Sequence, residues 1–262
     1  MTQIVGSVLV RNEDVFVEQS IRNVAAFCDR IHAVDHVSTD RTWDIFQTLA
    51  KELDHLEIRR SRNSADAHRL LAPYAGTATW VLGVDGDELY DPGGLARFRE
   101  ELLAGAHDDV FRIKAHVLNC DELDLASATA SGWLAPPSRP VTKLFNFAAV
   151  ESWSESPDPL QAGNVVFKPG QHWESRKDLA DGTTWESDPL RCLHVCFLPR
   201  SSRENTGARR NLDESRAYDR GPLGALKRLV RPVRAEQARK SWKHEWYARG
   251  DRVTVGATPF FP

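Results

Sequence analysis

Short apolar runs and amphipathic segments alternate along the first 117 residues. "QIVGSVLV" is apolar and rich in β-branched residues, and reads as a strand. Between Asp14 and Cys28, the residues Val17, Ile21, Val24, Ala25 and Cys28 share one helical face. "RIHAVD" is a second strand. Thr42 to Leu53 is a second helix, with Ile45, Phe46, Leu49 and Leu53 inward, and "LEIRR" is a third strand. Ser64 caps a third helix that runs to about Tyr74, and "TWVLGV" is a fourth strand. Asp91 followed by Pro92 is an N-cap with a proline in the first turn, opening a helix to about Ala104. The order β-α-β-α-β-α-β-α predicts an α/β fold, a parallel sheet with helices on both faces.

The pattern then changes. In "VFRIKAHVLN", Phe111, Ile113, Ala115 and Val117 alternate with Arg112, Lys114 and His116, as in a strand with one wet face. Cys120 to Pro140 has weak periodicity and a Pro136-Pro137 pair. It reads as a long loop, a feature that often carries function. "VTKLFNF", "NVVFKP" and "RCLHVCFL" read as strands. From about Ser201 the pattern is helical and basic, interrupted at Gly221-Pro222 and Pro232. These shifts divide the chain into a first part over 1–117, a second over 118–200 and a C-terminal extension over 201–262. No internal repeat or low-complexity segment interrupts them.

Composition adds limits. With 41% hydrophobic and 27% charged residues in 262, the chain buries a substantial core. No apolar run approaches the ~20 residues of a membrane helix. The start "MTQIVGSVLVRNE" reads as a strand rather than a secretory signal, so a cytoplasmic location is expected. Cys28, Cys120, Cys192 and Cys196 form no zinc-type pair and read as free, mostly buried thiols. From Arg200 to the end, 15 Lys and Arg stand against 7 Asp and Glu; the preceding residues carry 19 against 30. An acidic body with a basic tail is not the footprint of a nucleic-acid binder. The tail is read as a solvated helical face, with contact to a membrane surface or an anionic substrate as the alternative.

The candidate chemistry sits at strand ends. Ligands of open α/β sheets bind at the carboxyl ends of strands. Asp35 ends strand two, and Asp85 and Asp87 end strand four. Asp85, Asp87 and Glu88 crowd three carboxylates at the mouth of an apolar strand, which calls for a positive partner. Asp85 and Asp87 point the same way in an extended segment, and Gly86 between them permits close approach of a ligand or of backbone. Oxygen ligands suit Mg²⁺ or Mn²⁺ carrying a diphosphate. In "VDHVSTDRT", Asp40 suits a helix N-cap, and Asp35 suits a carboxylate that accepts hydrogen bonds from a base or ribose. "VRNED", Arg11 to Asp14 at its polar end, closes strand one at the same edge.

Together "VRNED", "VDHVSTDRT" and "VDGDE" resemble, in order and spacing, the strand ends of family 2 glycosyltransferases of GT-A fold. The resemblance covers about the first 100 residues. It implies a GT-A (Rossmann-like) nucleotide-sugar-binding sheet, a mixed acceptor-side part and a helical C-terminal extension. It implies a nucleoside diphosphate sugar donor, Mn²⁺ or Mg²⁺, and inverting transfer to a hydroxyl acceptor: a saccharide, a lipid-linked saccharide or a small molecule. Carried onto this chain, Val10, Arg11, Asn12, Glu13 and Asp35 would hold the nucleoside. Asp85 with Gly86 would lie near the ribose or the metal, and Asp87 would bind the metal. Arg62 in "RRSRNS" would meet phosphate. "LRCLHVCFLPRSS" resembles a late "LxH" stretch, which makes His194 a second metal candidate. A thiolate site with Cys192 and Cys196 is the alternative, disfavoured because same-face strand residues lie about 7 Å apart.

An inverting transfer needs a base. Related enzymes place an acid after a "KLF" strand near a tryptophan. Glu155 beside Trp153 fits, with Glu151, Asp121 and Asp124 as rivals. "GQHWES", with His172 and Trp173, is a candidate acceptor-site lining. Two other functions share the scaffold. A sugar nucleotidyltransferase would carry a glycine-rich phosphate loop after strand one, which "LVRNEDVF" lacks. A non-catalytic nucleotide-sugar-binding protein would lose the carboxylates that Asp85 and Asp87 retain.

Overall fold

A computed structural model describes residues 1–154, 164–203 and 244–262. The first half follows the predicted alternation, apart from a short fifth strand that the pattern does not show and a third helix that starts at Asp66 without a Ser64 cap. The elements are β1 (Gln3–Val10), α1 (Val17–Ala25), β2 (Arg30–Asp35), α2 (Thr42–Glu52) and β3 (Leu56–Arg60). They continue with α3 (Asp66–Leu71), β4 (Thr79–Val84), β5 (Glu88–Tyr90) and α4 (Pro92–Leu103). Strands β1, β2, β3 and β4 are parallel. Their near-continuous apolar runs follow from burial on both faces. Asp91 caps α4 as expected, its carboxylate accepting from the Gly93 N–H at 2.9 Å, with Pro92 in the first turn.

The second half departs from its prediction. "VFRIKAHVLN" is not one strand. It divides into β6 (Arg112–Lys114) and β7 (Val117–Asp124), which belong to different sheets. His116, expected on a wet face, is buried at the switch and bonds Asp188 through its ring Nδ1 at 2.9 Å. The expected loop over Cys120–Pro140 is mostly a hairpin of β7 with β8 (Thr129–Ala135). Its period-2 signal is blurred because a register shift between Cys120 and Glu122 breaks the alternation. The remaining strands are β9 (Lys143–Asn146), β10 (Val150–Ser154), β11 (Asn164–Phe167), β12 (Arg176–Asp178), β13 (Cys192–His194) and β14 (Arg252–Gly256). The final stretch, expected to be helical, supplies β14, antiparallel to β8. The expected helical tail over 204–243 lies outside the described residues.

Among the described residues the main sheet has the order β12-β6-β9-β4-β1-β2-β3, and a second has the order β14-β8-β7-β13-β5. The two are thus interleaved along the chain rather than divided at residue 117. One face of the main sheet packs against α1, α2 and α4 through Ile21, Phe46, Leu49 and Phe98. The other face carries Leu71 of α3 and an aromatic group of Phe111, Phe145, Phe147 and Trp153. A third cluster, including Leu118, Leu193 and Phe260, fills the second sheet. All four cysteines are buried free thiols.

The two sheets meet where the chain passes from β4 to β5 through Asp85, Gly86 and Asp87. Gly132 of β8 lies so close to β7 that a Cβ there would stand 2.1 Å from the Asn119 carbonyl oxygen. Both atoms are backbone and cannot yield cheaply. Gly132→Ala is expected to lower unfolding free energy by about 2–3 kcal/mol, the scale of overpacking, in urea unfolding at unchanged m-value. A loss below about 0.5 kcal/mol, the surface background, would show that the hairpin has slack there.

Candidate active site

Three parallel strands deliver their ends to one edge, and the loop after β1 is cross-linked to the loop after β2. Asn12 adopts a left-handed backbone (φ 54). Its N–H donates to Ser38 Oγ at 2.9 Å, and its side-chain oxygen accepts from the Thr39 N–H at 2.8 Å. The Glu13 N–H donates to Thr42 Oγ1. Asp40 accepts from the Thr42 N–H at 3.0 Å, although it stands one residue before the N-cap position, which falls on Arg41. Val10 ends β1 beside Asp35, which is fully buried. Both Asp35 oxygens accept from the Ser38 N–H, and Arg60 Nε lies 3.1 Å from Oδ2. Burial lifts the Asp35 carboxyl above its ordinary range, against the pull of Ser38 and Arg60.

Arg60, not Arg62, is therefore the arginine that the end of β3 sends into this edge. Its guanidinium also donates to the Ser38 carbonyl at 2.7 Å and lies over the Trp43 ring. Arg62 is exposed two residues later.

The carboxylates after β4 differ sharply in setting. Asp85 has a half-exposed side chain, whereas Asp87 and Glu88 are buried. The protein itself supplies the positive partners. Lys143, buried on β9, reaches Asp85 at 2.9 Å and Glu88 at 2.7 Å. Burial alone would lower the ammonium pKa; Asp85 and Glu88 reverse this and hold it above its usual value. Burial pushes Glu88 up to about 8 despite Lys143. Arg200, also buried, donates from Nη1 to Asp87 Oδ2, and its Nε faces Glu13 Oε2 at 3.3 Å. The space that Gly86 leaves is filled by the chain rather than left for a ligand. A Cβ there would stand 2.8 Å from the Glu13 Cβ. The Gly86 carbonyl accepts from Ser20 of α1.

His194 reaches the same place from β13, paired with Glu88 on one side and Asn119 on the other. The Asn119 amide NH₂ donates to Ser138 Oγ at 2.7 Å and to the Arg139 carbonyl, so its oxygen turns to His194 Nδ1 at 2.7 Å. Nδ1 then carries a proton, and Nε2 lies 3.6 Å from Asp87 Oδ2. The Tyr247 ring lies against the imidazole. Cys192 and Cys196 are buried free thiols, and burial pushes the Cys192 thiol well above its usual value, which argues against a thiolate ligand there.

Other sequence candidates fall elsewhere. Glu155 lies outside the described residues. Glu151 is exposed at the start of β10, near the Gly76 turn that precedes β4. Asp121 pairs with Arg252, and Asp124 closes the β7–β8 turn with Ser127. Trp153 is a core residue whose indole N–H donates to His68. Trp173 does not line this edge. It packs edge-on against Phe111 and Phe167, and His172 is exposed beside it.

A model described as glycosyl transferase family 2 matches residues 8–145, just over half of the chain. The chain belongs to that family. Its main sheet is the GT-A arrangement that the strand-end motifs led us to expect. No curated protein matches the chain. Among solved structures, S. aureus TarS is similar at 19% identity and a TM-score of 0.38, over 57% of this chain and 29% of that one. Glucosyl-3-phosphoglycerate synthase from Mycobacterium tuberculosis, in complex with Mn²⁺ and UDP-glucose, is similar at 19% identity and a TM-score of 0.33, over 44% of each chain. The chain therefore spans less than half of the length of either.

Lys143, Arg200, Arg60 and Asn119 had no signal as site residues in the sequence. Lys143, Arg200 and Asn119 are polar positions in or after apolar runs, and Arg60 is one of several charged residues at the end of β3. Removing Lys143 takes from the buried Glu88 the cation that compensates it. Lys143→Met is expected to cost about 3 kcal/mol in chemical unfolding, the scale of breaking a buried ion pair. Adding Glu88→Gln should restore more than half of it. Equal loss in single and double variants would show that Lys143 acts through packing and not through charge.

Proposed function

We propose that the chain transfers a sugar from a nucleoside diphosphate sugar to an acceptor hydroxyl, with a divalent cation at the donor site. The observation that carries this reading is the convergence of Asp87 and His194 at the carboxyl edge of a family 2 sheet, beside the buried Asp35. The donor set suits a hard or borderline cation, with one carboxylate oxygen and one neutral imidazole nitrogen oriented by Asn119. Among the described residues no group of three His, Cys, Asp or Glu gathers around it. That suits Mg²⁺ or Mn²⁺, which take one or two protein ligands and fill their shell with phosphate oxygens and water. Bound there, the cation would stabilise the charge of the leaving diphosphate as a Lewis acid.

The chain's own groups do the rest. Asp35 and the Val10–Glu13 edge receive the nucleoside, with Arg60 fixing the Asp35 carboxylate. Arg62, exposed past β3, is left for an outer phosphate contact. Lys143 fixes the half-exposed Asp85 carboxylate towards the ribose. Glu155 remains the proposed base that takes the acceptor proton, and inversion is proposed with it. A product of retained configuration by NMR would overturn that last step. Among the described residues no helix is long and apolar enough to cross a membrane. The buried free thiols suit a cytoplasmic setting.

Calorimetry with UDP, GDP and dTDP, with and without Mn²⁺, tests the donor site. One nucleotide is expected to bind in a Mn²⁺-dependent way, with affinity falling about 30-fold or more in Asp87→Ala, a loss on the scale of one charged contact. A folded chain that binds none of the three would sink the reading.

A further inference from the structure

The segment that carries Arg200 is tied to the donor edge at the arginine's own carbonyl and at the two residues after it. The Val15 N–H donates to the Arg200 carbonyl at 3.1 Å. Ser201 Oγ donates to Asp40 at 2.6 Å. The Ser202 N–H and Oγ donate to the two oxygens of Asp14 at 2.6 and 2.5 Å. Asp14 is a strong anchor. Burial would raise its carboxyl, but the bonds from Ser202 and Arg41 prevail and hold it below the usual range. The backbone of Arg200 therefore cannot retreat from the site without breaking several hydrogen bonds at once.

Its guanidinium sits on Asp87 Oδ2, the same oxygen that faces His194 Nε2. A guanidinium and a divalent cation on one carboxylate oxygen repel each other and compete for its lone pairs. A guanidinium displaced from Asp87 still has Glu13 beside its Nε and a tethered backbone. It stays in the site, where its planar fork suits phosphate oxygens.

We infer that Arg200 is a built-in cation of the donor site that holds Asp87 in the metal-free protein, yields it to the divalent ion and then engages the diphosphate. This deepens the donor-site reading and rests on it. Arg200 forms and breaks no covalent bond. It answers the negative charge that the leaving diphosphate gains. The consequence is a pair of opposed effects: Arg200 weakens metal binding in the absence of nucleotide and strengthens nucleotide binding in its presence. A purely structural arginine would support both.

The test uses the full chain and two titrations, neither of which depends on turnover. Free Mn²⁺ is followed by electron paramagnetic resonance without nucleotide. The diphosphate that the wild type takes, among UDP, GDP and dTDP, is titrated by calorimetry at saturating Mn²⁺. In Arg200→Gln, Mn²⁺ should bind about tenfold tighter and the nucleotide about tenfold weaker, each the scale of one charge-assisted hydrogen bond. Arg200→Lys keeps the charge without the fork, so Mn²⁺ affinity should stay near wild type while nucleotide affinity falls. Thermal melts by circular dichroism establish folding. If Arg200→Gln does not fold, the Lys variant decides by the same split. Weakening of both ligands in a folded variant, or no change in either, overturns the inference while leaving the donor site standing. Failure of the folded wild type to bind any of the three nucleotides, with Mn²⁺ present, overturns both.

Discussion

Burying acids at the carboxyl edge of the sheet is the constraint on which the rest of the structure turns. Glu13, Asp14, Asp35, Asp87 and Glu88 are all buried there. An uncompensated buried charge costs several kcal/mol, so each must be paired or protonated. The fold answers with Lys143 on Asp85 and Glu88, Arg200 on Asp87 and Glu13, and Arg60 on Asp35. Each cation arrives from a different element. In the main sheet β9 places Lys143 opposite Gly83, and from the second sheet β13 leads directly into the segment that ends at Arg200.

This arrangement ties the two sheets together through electrostatics as well as through packing. The passage from β4 to β5 is three residues long, and it is held from three directions. Ser20 of α1 bonds the Gly86 carbonyl, Val195 donates to the Asp87 carbonyl, and Glu88 Oε2 accepts from the Asp85 N–H. Asp87 therefore has little freedom of its own. A ligand that engages it meets a preorganised carboxylate, and the adjustable part of the site is the guanidinium opposite.

His194 shows the same economy. Its register against Asn119 and Glu88 is set by two strand pairings, and the Asn119 amide is set by Ser138 and Arg139. The orientation of the imidazole, and with it the direction of Nε2, is thus set by groups on the β8–β9 connection, remote from the donor motifs in sequence. The close approach of Gly132 to Asn119 belongs to this same support.

The sequence by itself determined the first half of the molecule. Buried parallel strands must be apolar on both faces, and amphipathic helices between them must show a 3.6-residue period, so β1 to β4 and α1 to α4 were legible. So was the placement of Asp35, Asp85 and Asp87, because a parallel strand's end fixes which edge its following residue occupies. The β7–β8 hairpin was not legible, since its register shift breaks the period that reveals strands. The positive partners of the acids were not legible either. Lys143 lies 55 residues from Glu88, and Arg200 lies 113 residues from Asp87. No local pattern couples positions so far apart; only the pairing of β9 with β4 and of β13 with β5 brings charge to charge.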